Sequence, residues 1–209
     1  MNYEKNPTAI EDKSMEIIEN LMKNSQHFSE EERSVIKRMI HTTADFEFED
    51  LIRFYDNPIH KMKTYIGEGC KIYTDTQMIQ SGINRHNLNK HGCQLVNYVH
   101  DTEVAEKAIS QKITRSMAAL EKAFDDEVIK IFAIGNAPTA LFRLLELLEK
   151  QPKREIVIMG VPVGFIGAEE SKEALAQQTS WPYITIYGRK GGSTVAAAIV
   201  NAVLKMMTC

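Results

Sequence analysis

Cysteine is scarce in this chain: three residues, Cys70, Cys93 and Cys209, among 209, widely spaced and without a C-x-x-C pair. Neither a disulfide framework nor a zinc site is expected from that spacing, and free thiols suit a reducing, cytoplasmic compartment. An excess of one charge is also missing. Twenty-five basic side chains face 28 acidic ones, a formal net charge of -3, whereas a duplex nucleic-acid partner favours a strongly basic face. No apolar run approaches the roughly 18 to 20 residues of a membrane span, and residues 1–13 lack the apolar core of a secretory signal. Internal repeats, low-complexity tracts and linkers rich in Pro, Gly or Ser are absent, as are the Walker A and GxGxxG phosphate fingerprints and any His/Cys cluster at metal-ligand spacing.

What is present is an ordinary globular composition, 44% apolar and 25% charged, long enough for one domain that buries roughly 70 to 75% of its unfolded surface. Over the first ~65 residues, apolar positions recur at helical spacing. Ser29 with Glu32 forms a capping-box signature that opens a helix with Val35, Ile36, Met39 and Ile40 as its buried stripe. Arg38 and His41, three residues apart, then share another face. Phe46, Phe48 and Leu51 around Glu47 and Glu49 suggest a short extended piece. From about residue 70, five apolar strands at 71–75, 94–99, 128–135, 155–164 and 183–188 alternate with amphipathic segments at 104–109, 115–124, 137–149, 169–178 and 193–206. That alternation predicts a doubly wound α/β fold: five mainly parallel strands with helices on both faces. Residues 1–209 form a single domain in this reading, residues 1–68 being a helical N-terminal extension packed on an α/β core of residues 69–209. The apolar residues 195–203 suit deep burial in a core or a subunit interface.

Ligands of such sheets bind at the carboxyl ends of the strands, so the junctions there carry the information. Residues 135–139 (GNAPT) place Asn136 as a candidate N-cap and Pro138 in the first helical turn, as a plain helix start also would. Residues 160–172 hold three glycines that permit close approach to a flat ligand whose ring face Phe165 could cover; a glycine-rich turn with a buried Phe reads equally well. Residues 188–193 (GRKGGS) set Arg189 and Lys190 beside free helix amides, a carboxylate or phosphate site. Arg115, at a helix start, could fork onto a carboxylate. Of six histidines, His27, His60, His86, His91 and His100 read as surface residues. His41 differs because it ends an amphipathic helix, where the negative helix terminus, and Asp45 if the turn persists, would favour its cationic form.

Taken in order, RMIHTTAD (38–45), GNAPTAL (135–141), GVPVGFIGAEESK (160–172) and GRKGGS (188–193) resemble the precorrin-8X methylmutase family, also called cobalt-precorrin-8 methylmutase. Pro7, Ser14, the DTQM run (75–78), Ser81 with Gly82, and the TRS run (114–116) extend the similarity over nearly the whole chain. The resemblance implies a flavodoxin-like sheet and a cytoplasmic homodimer. It also implies an isomerase of corrin (vitamin B12) biosynthesis, an intramolecular transferase that moves the C-11 methyl of precorrin-8X or cobalt-precorrin-8 to C-12, giving hydrogenobyrinate or cobyrinate. The family's catalytic histidine falls on His41, a general acid in this reading. Ser14, Ser81, Gly82 and Asn136 resemble pocket positions, and Arg38, Arg115, Arg189 and Lys190 are candidates for the substrate's carboxylate arms. No cofactor and no protein-bound metal is implied; the partner is the tetrapyrrole, with neither nucleic acid nor membrane. Two other readings remain open: a non-enzymatic corrinoid carrier, and a flavodoxin-like nucleotide or flavin protein with residues 188–193 as its phosphate cradle.

Overall fold

A computed structural model describes residues 3–208. The chain begins with α1 (Pro7–Leu21), capped by the Asn6 side chain, and α2 (Glu30–Thr43), where Ser29 and Glu32 form both halves of the capping box. The expected α2 stripe is buried, Val35, Ile36 and Met39 fully and Ile40 nearly so. There follow a single helical turn, α3 (Phe48–Leu51), and then β1 (Ile52–Tyr55), α4 (Pro58–Gly67), β2 (Lys71–Thr74), α5 (Gln77–Gly82), α6 (Arg85–Asn89) and β3 (Gln94–Val96). The remainder runs α7 (Thr102–Gln111), α8 (Arg115–Phe124), β4 (Ile129–Ile134), α9 (Pro138–Lys150), β5 (Val157–Gly160), α10 (Ala168–Gln177), β6 (Tyr183–Ile186) and α11 (Ser193–Met206).

The strands form one six-stranded sheet in the order β1-β6-β5-β4-β2-β3. Five of them, β3-β2-β4-β5-β6, are mutually parallel and follow the flavodoxin-like order, with its topological switch point between β2 and β4. The expected five strands become six because β1 pairs antiparallel with β6, Ile52 opposite Ile186. The extended piece expected around residues 46–51 is therefore corrected: residues 48–51 are a helical turn, and the strand lies just beyond, at IRFY. Its alternation spans only four residues, too short to separate from the helical pattern around it.

Side chains alternate across the parallel strands and build two cores. Ile72, Ile131, Ala133, Val157, Met159, Ile184 and Ile186 face α2, α4, α5 and α11, while Tyr73, Phe132, Ile134 and Ile158 face α8, α9 and α10. Of α11, the residues from Val195 to Val200 and from Ala202 to Leu204 are all buried, which is the deep burial its composition suggested. Cys70 and Cys93 are buried free thiols; Cys209 lies outside the described residues. No helix among the described residues is long and apolar enough to cross a membrane.

Candidate functional site

The switch point is closed by a residue not singled out as a site candidate. Asp75, at the carboxyl end of β2, is buried and accepts backbone amides from Gly135 (2.9 Å), Asn136 (2.8 Å) and Ala137 (2.7 Å). Burial pushes its carboxyl above the ordinary carboxylate range and the three amide donors oppose that shift. This arrangement corrects the expectation for Asn136: the N-cap of α9 is Ala137, with no side-chain cap bond, and the junction's free amides go to Asp75 instead. Pro138 does occupy the first turn. Asn136 keeps its side chain exposed at the carboxyl edge. An acid directly after an apolar strand, as in KIYTD, was the available signal.

Around Asp75 the other junctions converge. Thr76 and Ser193 share a hydroxyl hydrogen bond of 2.8 Å, tying the end of β2 to the start of α11. A Cβ on Gly135 would lie 3.0 Å from the Gly192 carbonyl oxygen, so these two loops touch. Thr114, the N-cap of α8, meets Thr139 at 3.0 Å, which sets the exposed Arg115 beside the α9 start. Arg189 is exposed near Glu169 (3.8 Å), its guanidinium 5.8 Å from the Phe165 ring centroid. Phe165 and Ile166 are 84% and 91% exposed, which rules out a buried Phe in that turn.

Lys190 takes a different position from the one expected. Its ammonium donates to Asp45 and to Glu47, each at 2.5 Å, which holds the Asp45 carboxyl below its usual range and the lysine above its own. Asp45 is consequently not stacked on His41. The helix ends at Thr43, Ala44 turns into the left-handed region (φ 55°), and the other Asp45 oxygen accepts the Glu47 amide. The condition that the turn persist to residue 45 fails. With Lys190 neutralised by two carboxylates, Arg189 drawn toward Glu169 and Gly191 pressed against the Val161 carbonyl, where a Cβ would stand at 2.3 Å, the 188–193 loop makes a poor phosphate cradle.

A second group lies along α11, between α2 and α5. Arg38 pairs with Glu11 at 2.6 Å and lines a hollow of about 430 Å³ with Asn84, Asn87, Asn201 and Lys205. Asn201 donates to the Gly82 carbonyl and accepts the Asn84 amide, both at 2.8 Å. A smaller hollow of about 220 Å³ reaches Met15 and Ser34 on the other side of Arg38. Ser14 and Ser81 are occupied within their own helices, donating to Ile10 (2.7 Å) and Gln77 (3.0 Å). His41 stands one turn beyond Arg38 on the same face of α2, exposed and without a hydrogen-bond partner among the described residues. Two larger hollows, about 450 and 460 Å³, lie around Lys153 and Arg154 at the amino ends of the strands, away from every candidate. His91, expected at the surface, is instead half-buried with its Nε2 sealed from solvent.

The first group offers the exposed Arg115 and Arg189 at the carboxyl edge, and the second offers Arg38 with the unpartnered imidazole of His41 one turn on: cations that can meet carboxylates and a ring that can move a proton. Comparison with known proteins points the same way. The family model described as precorrin-8X methylmutase matches residues 9–206. The cobalt-precorrin-8 methylmutase of Salmonella typhimurium is 44% identical, the match covering 98% of this chain and 97% of that one; the precorrin-8X methylmutase of a Sinorhizobium species is 34% identical over 98% and 97%. Among solved structures, the precorrin-8X methylmutase of Thermus thermophilus superposes with a TM-score of 0.86 at 35% identity, covering 95% of each chain.

Proposed function

Because this chain belongs to the precorrin-8X methylmutase family, an isomerase family of corrin biosynthesis, we propose that it moves the C-11 methyl of precorrin-8X, or of its cobalt analogue, to C-12 with His41 as general acid. The observation that carries the role of His41 is its place: an exposed, unpartnered imidazole in the family's RMIHTTAD run, one turn from Arg38. As imidazolium it would hydrogen-bond or protonate the tetrapyrrole beside the migrating centre and stabilise the charge that develops as the methyl moves. The shift is redox-neutral, so the chemistry itself calls for no nicotinamide. Holding the macrocycle nearer the geometry of the product supplies the rest of the rate.

Arg38, Arg115 and Arg189 are the cations left to meet acetate and propionate arms, with Ser14, Ser81, Gly82 and Asn136 as pocket positions. The hollow beside Arg38 is shallow and open, so the ring would lie across the face between α2 and α5. We read the chain as one cytoplasmic domain, residues 1–209, that pairs as a homodimer. What supports pairing is the exposed apolar row Ile10, Ile17 and Leu21 on α1, spaced to form one stripe.

The test is His41→Ala assayed with precorrin-8X by absorption spectroscopy. Turnover should fall by about 10²- to 10⁴-fold, while hydrogenobyrinate still binds because the arms keep their partners. Near-normal turnover would remove His41 from the chemistry.

A further inference from the structure

Lys172 is a charged side chain that the reaction does not use. It lies on α10 with no solvent exposure, and its ammonium donates to the backbone carbonyl of Lys190 at 2.6 Å. Among the described residues it has no carboxylate in ion-pair range, and burial pulls its pKa down to about 8. A sealed ammonium with one neutral acceptor is costly. Its placement beneath the loop that joins β6 to α11 explains what that cost supports.

The loop has little conformational preference of its own, since Gly188, Gly191 and Gly192 all take positive φ. Three bonds hold it on the side of β5 and α10: the Gly192 amide to the Val161 carbonyl, the Gly164 amide to the Arg189 carbonyl, and Lys172 to the Lys190 carbonyl. Lys190 therefore faces two ways. Its carbonyl is held from inside, while its ammonium reaches outward to Asp45 and Glu47 and sits 5.9 Å from the Phe48 ring centroid. Asp45 and Glu47 lie just beyond the Ala44 cap of α2, whose last turn carries His41. One ammonium between two carboxylates carries a local charge of about -1, which repels rather than invites a carboxylate arm.

We infer that Lys190 is a positioning residue for His41, braced from beneath by Lys172, and does not bind the substrate's carboxylates. The clamp fixes the end of α2 to the sheet, so that the imidazole keeps its place while the ring docks. This inference rests on the reading of His41 as the acid, and the experiment separates the two.

In Lys190→Met, kcat for precorrin-8X should fall by about 10- to 100-fold, with the Kd for hydrogenobyrinate unchanged within roughly threefold. Lys190→Arg, which keeps both ion pairs, should restore most of kcat. Asp45→Asn combined with Glu47→Gln should reproduce the Lys190→Met loss and add nothing to it, since all three groups form one unit. Lys172→Met, similar in volume, should lower kcat in the same direction. Independently of activity, hydrogen exchange of the amides at residues 44–47 should accelerate in Lys190→Met. Normal kcat, unaltered exchange, or product affinity weakened beyond that threefold would each overturn the clamp. If the unaltered protein itself fails to convert precorrin-8X, the proposed activity falls, and the exchange measurement still decides the clamp.

Discussion

At the scale of single residues, the carboxylate that organises the edge of the sheet is Asp75. Every contact it makes is with a donor, so the ionised form is the one the three amides of Gly135, Asn136 and Ala137 suit. Asp75→Asn would turn an amide NH₂ toward backbone N–H groups and leave at least one of them unsatisfied. The expected loss is about 2 to 4 kcal/mol of unfolding free energy, read as a shift of the urea midpoint without a change of slope. A loss below roughly 0.5 kcal/mol would show that water replaces the carboxylate without cost. Asp75 and Lys190 mark what residue-level reading reaches. Both lie in motifs visible in the sequence, but their partners are 60 and more residues away along the chain, and pairing across such distances is not encoded in local spacing.

Among the elements, α11 is the one on which the candidate face depends. Its small residues let α2 and α5 pack closely on either side, and Gly82 ends α5 against it. A Cβ at Gly82 would stand 2.8 Å from the Ala197 Cβ, so Gly82→Ala must push α5 outward or strain the Asn201 bond to the Gly82 carbonyl. Because Gly82 is the last residue of α5, the helix gains little from alanine. The overpacking cost of about 1 to 3 kcal/mol should dominate, measurable by chemical denaturation. A stabilised variant would mean that α5 shifts freely. The long, periodic elements were legible: α8 and α11 begin and end where their amphipathic segments do, and the α2 stripe is buried as read. The helical turn at residues 48–51 and the strand after it were not. The strand β1 has four residues, and only its ladder with β6 distinguishes it from the helical turn before it.

Across the whole molecule, one carboxylate ties the N-terminal helix to both α2 and α11. Glu11 on α1 accepts from Lys205 at the end of α11 (2.9 Å) and from Arg38 on α2 (2.6 Å). Those bonds lower its pKa from 4.5 to about 2, Lys205 contributing most. A depressed carboxyl stabilises the fold above its unfolded value, and that contribution disappears as pH falls from 4.5 through about 2. Glu11 is partly exposed, so solvent screening holds the effect to about 1 kcal/mol or less. Wild type should therefore exceed Glu11→Gln in stability near pH 7 and converge with it only below about pH 2, as followed by urea denaturation at each pH. A gap that persists at the acid end would assign the effect to packing.

Hydrophobic periodicity, capping residues and the order of the motifs were sufficient, without coordinates, for the class of the fold, its principal helices and the family it resembles. Each of those signals is local or depends only on order along the chain. The sixth strand, the Asp75 bridge at the switch point and the capture of Lys190 by Asp45 and Glu47 were decided by tertiary structure alone. Each is a pairing between segments brought together only when the sheet is wound and its two faces are covered, and a charged side chain does not reveal in the sequence which of many opposite charges it will meet.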